Sequence, residues 1–234
     1  MNIIGIDPSI TSTGMCINEK LFSYSYNSAG FTKKGNLTKW FETSEKQVLF
    51  RFHDKVTFSD YEEEQIEKIK SYRKVVDAII DDISDNININ EATAVAIEGY
   101  SYGSSAGNLI DLVSFGTLLR DKIIDNFTDN IHIVSPSTLK LESCKMVYEP
   151  IEKIKGVKKK KIVYEYRNKF GIAGGNFTKK DMYNAIIESK WDDEWVKHLR
   201  TLKGEFKSVP KPHEDLNDAY LLYKYLIDKL GKTN

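Results

Sequence analysis

Four carboxylates stand where a hydrophobic core would not choose them. Asp7 closes the apolar run 2–6 (NIIGI) and precedes Pro8, which cannot continue a central strand. Glu98 closes a second apolar run, 93–97 (TAVAI). Asp215 and Asp218 fall in the first turn or so of the last helical pattern. Their spacing puts them on one helix face, with β-carbons ~5–6 Å apart. Singly, each acid has an ordinary reading. Asp before Pro is a common turn, Glu at a strand end opens a loop, and Asp near a helix N-terminus complements the macrodipole. Converging from two strand ends and one helix, they would repel one another strongly unless cations balanced them. Hard oxygen donors favour Mg2+ or Mn2+.

The acids need elements to carry them. Beyond the two runs named, segments 14–18 and 21–26 read as strands joined by a turn at Glu19-Lys20. Segment 27–59 has mixed periodicity and reads as an insertion or loop. A helix is expected over 61–84, with Ile66, Ile69, Val76, Ile80 and Ile83 recurring at helical steps. Another is expected over 106–126, with Leu109, Leu112, Phe115, Leu119 and Ile123 on one stripe. Residues 131–134 form a short strand stopped by Ser135-Pro136, and Pro136 suits the first turn of a helix. Helices are expected over 158–169 and 178–199, with Trp191 and Trp195 on one face of the latter. A Gly171–Gly175 break separates the two, a loop covers 204–212, and a final helix runs over 214–230. This order gives an α/β fold with a mixed sheet, in which ligands gather at the strand carboxyl ends.

Several of these segments resemble the RuvC-type Holliday junction resolvases. Residues 5–14 (GIDPSITSTG) are similar to that family's opening motif, GIDPGxxxTG. The strand ending in Glu98, the small-residue loop 99–107 and the helix after it follow the family order. So do Ile133–Lys140 (IVSPSTLK) and the closing D-x-x-D-A of 215–219. The landmarks span the chain end to end, with insertions near 28–60 and 171–212. Ser9 departs from the motif, which has Gly there. The resemblance implies one ribonuclease H-like nuclease domain over 1–234, a mixed β-sheet flanked by helices. It implies hydrolysis of phosphodiester bonds in four-way DNA junctions by two divalent ions, leaving 5′-phosphate and 3′-hydroxyl ends. Asp7, Glu98, Asp215 and Asp218 would be both the catalytic residues and the metal ligands. His213 and Glu214, directly before the third acid, are alternatives to Asp215. The family also dimerises, and the 106–126 helix lies in the corresponding region. A two-fold dimer matches a near-symmetric junction.

Binding DNA needs positive charge close to those acids. Residues 137–170 hold ten basic residues against four acids, whereas 54–92 hold eleven acids against five bases. Lys140 falls where the family places a DNA-contacting lysine, and one of Lys158, Lys159, Lys160 and Lys161 is the expected second. Tyr100 and Tyr102, in the loop after Glu98, could stack on unpaired bases, each worth roughly 1–3 kcal/mol. A packed loop with buried rings is the other reading.

Composition sets the outer limits. The 234 residues are 41% hydrophobic and 29% charged, ordinary for a folded chain, and 34 Lys+Arg balance 34 Asp+Glu. Zero net charge excludes a wholly basic nucleic-acid coat but not a local basic face. Cys16 and Cys144 have no His pair at zinc-ligand spacing. Two cysteines and no signal-peptide pattern point to a reduced, cytoplasmic compartment (the host cell's, for a viral member), without a membrane partner. Competing readings are a broader branched-DNA or flap endonuclease, an actin-like or sugar-kinase ATPase, and a non-catalytic DNA-binding module. The ATPase reading lacks a second phosphate loop.

Overall fold

The computed structural model describes residues 1–26, 41–54, 60–100, 106–156, 160–203, 209 and 213–232, apart from the Tyr26 side chain. Six strands form one mixed sheet: β1 (Asn2–Asp7), β2 (Ser12–Ile17), β3 (Lys20–Tyr26), β4 (Val48–His53), β5 (Thr93–Glu98) and β6 (Ile131–Val134). Their order is β4-β3-β2-β1-β5-β6. β2 is antiparallel to both of its neighbours, β1 and β3, while β5 and β6 continue parallel to β1. β4 adds to the outer edge, parallel to β3. The helices with both ends among the described residues are α1 (Tyr61–Asn86), α2 (Ala106–Asn126), α3 (Pro136–Val147), α4 (Lys179–Glu188), α5 (Glu194–Thr201) and α6 (His213–Gly231). This is a mixed α/β arrangement, a central mixed sheet flanked by helices. No helix among the described residues is long and apolar enough to cross a membrane.

Strand side chains alternate between two faces, and here the faces differ in size. Ile4, Ile6, Met15, Ile17, Val95 and Ile97 point to one side and pack under α1 and α2. Cys16, Ala94 and Ala96 point to the other, where α6 lies. Gly5 and Gly14 belong to this small face and are in tight contact with α6. A β-carbon on Gly5 would sit 2.2 Å from the Ala219 carbonyl oxygen, and one on Gly14 would sit 2.3 Å from that of Asp215. These obstacles are helix backbone, so they cannot swing aside. The two glycines of the opening motif therefore let a helix rest directly on strand backbone.

The β2–β3 turn uses Asn18 and Glu19, both left-handed (φ 46° and 73°). That is one residue earlier than expected, because a two-residue hairpin needs positive φ at both central positions and Asn tolerates it well. Segment 27–59 is not merely a loop, since it contributes β4. Of the helix expected over 158–169, the described residues 160–169 are not helical. Pro150–Lys155 (β7) and Lys161–Tyr166 (β8) form a separate antiparallel hairpin. The run Ile162-Val163-Tyr164-Glu165-Tyr166 is β-branched and aromatic, which favours a pleated strand over a helix. The 178–199 pattern splits into α4 and α5, with Asp193 capping α5 through Val196 N–H. Trp191 thus lies in the connection and Trp195 in α5, not on one helix. Along α2, Phe115, Leu119 and Ile123 are core, whereas Ile110, Val113 and Ile124 are exposed. Trp40 and nearly all of the expected loop 204–212 lie outside the described residues.

Gly14→Ala should lower stability by about 1–3 kcal/mol, as overpacking does, seen as an earlier denaturant midpoint. Gly107→Ala, where the added methyl meets nothing within 4 Å, should leave the midpoint unchanged or slightly later. Equal effects of the two substitutions would contradict the close docking of α6.

Candidate active site

Residues two apart on a strand share a face, so Asp7 points with Gly5, and Glu98 with Ala96, toward α6. β1 and β5 are parallel neighbours in the register Ile6↔Ile97, so the two acids leave adjacent strand ends side by side. Across β1, Asp7 lies opposite Gly14, the residue on which the Asp215 backbone rests. The strand exit is held by its own hydroxyls. Thr13 Oγ1 accepts from Ser9 N–H (3.2 Å) and donates to the Ser9 carbonyl (2.8 Å). Ser9 is not among the left-handed residues, so replacing the motif's Gly needs no special backbone here.

α6 supplies Asp215 and Asp218 from its first turns, both almost fully buried, at 3% and 1% exposure. Asp218 is ion-paired with Lys179 Nζ. Its other oxygen, Oδ1, is buried with no hydrogen-bond partner among the described residues. Lys179 is the first residue of α4. That helix begins with a reciprocal cap, in which Thr178 accepts from Asp181 N–H and Asp181 accepts from Thr178 N–H. A cation at a helix N-terminus opposes the macrodipole, and Asp218 offsets that conflict. Lys179 was not recognised from sequence. The signal was present in Thr178-x-x-Asp181, a capping pattern that fixes a helix start and leaves a lysine at its first position.

The electrostatics show the crowding directly. Burial holds the Asp7 carboxyl well above its usual pKa, Glu98 and Asp215 push it further, and Lys179 opposes them. A hydrogen bond between Asp7 and Glu98 acts in the same upward direction. Asp7 thus holds its proton to higher pH than a free aspartate does. Among the described residues, no three Asp, Glu, His or Cys side chains stand ready-made around a single ion position. Instead, the raised Asp7 carboxyl and the Lys179 ammonium offset the crowding. Four carboxylates and a buried orphan oxygen on Asp218 are nonetheless a donor set that suits a hard divalent cation.

The two neighbours of Asp215 are placed differently. His213 is fully buried, with its Nε2 2.8 Å from Ser44 Oγ. The same hydroxyl lies 2.9 Å from His198 Nε2 on α5. Burial, reinforced by His198, depresses the His213 pKa to about 3, so the ring is neutral. His213 is a brace for α6, and Glu214 is half-buried.

Tyr100 is not splayed toward a ligand. Its hydroxyl donates to the Val113 carbonyl (3.4 Å), its ring lies against Gly116, and the Arg120 guanidinium sits 4.5 Å over the ring. That is the packed-loop arrangement, so base stacking by Tyr100 is not the geometry seen. Lys140 lies in α3, directly after β6, and is half-buried. Lys160 and Lys161 are exposed on the β7–β8 hairpin. Tyr102, Lys158 and Lys159 lie outside the described residues.

No family model and no curated protein matches this chain. Among solved structures, it is similar to Thermus thermophilus RuvC in complex with Holliday junction substrate. That likeness has 11% identity and a TM-score of 0.46, covering 99% of this chain and 96% of the other. A second Thermus thermophilus RuvC structure shows 12% identity and a TM-score of 0.45, covering 99% and 97%.

In metal-free buffer the folded chain keeps the Asp7 proton at pH values where an unfolded aspartate has lost it. The contribution of this group to stability is full below the ordinary value of 3.8 and is lost as pH rises through the raised folded value. Asp7→Asn removes the ionisation at nearly constant size. Its melting temperature near neutral pH, without divalent ions, should exceed the parent's and decline less with rising pH. Identical profiles would mean that Asp7 titrates like an exposed aspartate.

Proposed function

We propose that the whole chain acts as one nuclease domain, a metal-dependent endonuclease that hydrolyses phosphodiester bonds in branched DNA, four-way junctions foremost. The observation that carries this reading is the crowding of Asp7 by Glu98 and Asp215 at adjacent strand ends, with Asp218 beside them bound to Lys179. A site built only to be stable would not bury several like charges together. Asp7, Glu98, Asp215 and Asp218 are the residues that would hold two Mg2+ or Mn2+ ions. Bound there, the ions would supply an activated water and stabilise charge on the phosphoryl and leaving oxygens.

The chain's own groups do the remainder. Asp7, whose proton is held above the usual carboxylate range, must give it up to bind a cation, which makes loading weaker at low pH. Lys179, half-exposed at the edge of the site, is released from Asp218 and becomes free to meet a backbone phosphate. Lys140, Lys160 and Lys161 extend that positive track along the nucleic acid. In the overall reaction the water oxygen bonds to phosphorus as the bond to the 3′ oxygen breaks. The products are a 5′-phosphate and, after protonation, a 3′-hydroxyl.

Two cuts across a junction call for two sites, so we assign a homodimer to the active form. Its candidate surface is the exposed apolar area of Ile66 and Ile69 on α1 with Ile110 and Val113 on α2. These adjacent helices are tied by the Lys68–Asp111 ion pair (3.2 Å).

The test is cleavage of matched junction, flap and linear duplex substrates with and without Mg2+. Symmetric paired nicks in the junction, dependent on Mg2+, are expected. Asp7→Asn should abolish cleavage while junction affinity stays within about twofold. Lys179→Met should slow cleavage by about tenfold or more and reduce the slope of log affinity against log salt by about one. Wild-type rates in Asp7→Asn would remove it from the site, and preferred cutting of the flap would replace the junction as substrate.

A further inference from the structure

The β7–β8 hairpin stands apart from the main sheet, and every β7 residue is exposed. Its base is well secured. Tyr148 donates to Glu188 (2.8 Å), Arg167 bridges to Ala173, and Asn168 Oδ1 accepts from Phe170 and Ile172 N–H. Its outer half is not. Ile154 and Ile162 are directly paired across the strands, yet they are 70% and 58% exposed. Tyr164, two residues on and so on the same face, is 62% exposed. The opposite face pairs Lys155 directly with Lys161. Like charges opposite each other weaken a hairpin, and neither lysine has an ion pair among the described residues. Lys153, by contrast, is paired with Glu165. An uncovered two-stranded hairpin is marginal even with a good sequence, and this one forgoes both apolar burial and charge pairing at its outer end.

We propose that this hairpin is a wedge for the branch point of DNA. Its apolar face, Ile154, Ile162 and Tyr164, lies on a base pair laid bare where duplex arms part. Lys155 and Lys161 hold phosphates of the neighbouring arm. The charge of the second face selects a polyanion. The first face selects the branch, because an intact groove offers mainly polar base edges, whereas an open base pair offers a flat apolar surface of the kind that apolar wedges meet between base steps. The hairpin joins α3, which carries Lys140, to the segment leading into α4, whose first residue is Lys179. The proposal rests on the branched-DNA reading above and adds to it the element that recognises the branch.

The test is binding without cleavage, in Ca2+ or EDTA, by fluorescence anisotropy on a four-way junction and on a linear duplex of equal length. A junction carrying 2-aminopurine at the crossover reports unstacking. The triple variant Ile154→Ser/Ile162→Ser/Tyr164→Ser should lose about tenfold or more in junction affinity, keep its duplex affinity within about twofold, and lose the 2-aminopurine rise. Lys155→Ala/Lys161→Ala should weaken binding to both DNAs and lower the salt slope by about two. The global melting temperature should change little in either variant, since these side chains are exposed and lie outside both hydrophobic clusters. Retained junction preference in the triple variant overturns the wedge, as does a shift from dimer to monomer in sedimentation, which would make the face a contact between copies. Wild-type protein that prefers junctions without cutting them in Mg2+ would remove the nuclease reading alone.

Discussion

The contact of α6 with bare strand backbone governs the rest of the structure. Gly5 and Gly14 leave no side chain between sheet and helix, so the Ala219 and Asp215 carbonyls come within reach of atoms that any other residue would occupy. That closeness places two helical acids beside an acid at a strand end. A single methyl at either glycine would move the helix as a unit, because its near surface is backbone and cannot change rotamer. The large side chains Ile4, Ile6, Met15 and Ile17 are accordingly confined to the opposite face, where α1 and α2 can stand further away.

Bringing carboxylates together has an electrostatic cost that the fold meets in two ways. Asp7 holds its proton to higher pH than a free aspartate does, and Lys179 reaches from the start of α4 to Asp218. Both are reversible, unlike a hydrophobic replacement. A proton leaves as pH rises, and a half-exposed ammonium can turn toward solvent or a phosphate. The resting state therefore carries its own temporary counter-charges, held on separate elements of the chain.

Much of this was legible in the residues. Short apolar runs ending in Asp7 and Glu98, and the spacing of Asp215 and Asp218, identified the acids and the ends of elements that hold them. The glycines were legible as a motif, but their reason was not, because it depends on which helix crosses which strands. The lysine in the site was missed because local charge density drew attention to Lys158–Lys161, whereas Lys179 acts through distance to an acid far along the chain. The hairpin over 150–166 was read partly as helix because a lysine run has good helix propensity. The paired strands are instead set by Gly156, at φ 98°, and by the alternation after Lys161. Tyr100 shows the reverse case. An aromatic in a small-residue loop invites a binding role, yet the gap beside Gly116 gives its ring a place to pack.

The hydroxyl shared by two imidazoles has a mechanical consequence. Ser44 precedes the outermost strand of the sheet, His198 belongs to α5, and His213 is the first residue of α6. Three stretches far apart in the chain are thus tied at one oxygen atom, two residues from Asp215. The added edge segment is not a decoration that could be trimmed at will. It acts as a guy-rope on the helix that bears the acids, so lengthening or shortening it changes the tension where Asp215 and Asp218 are held.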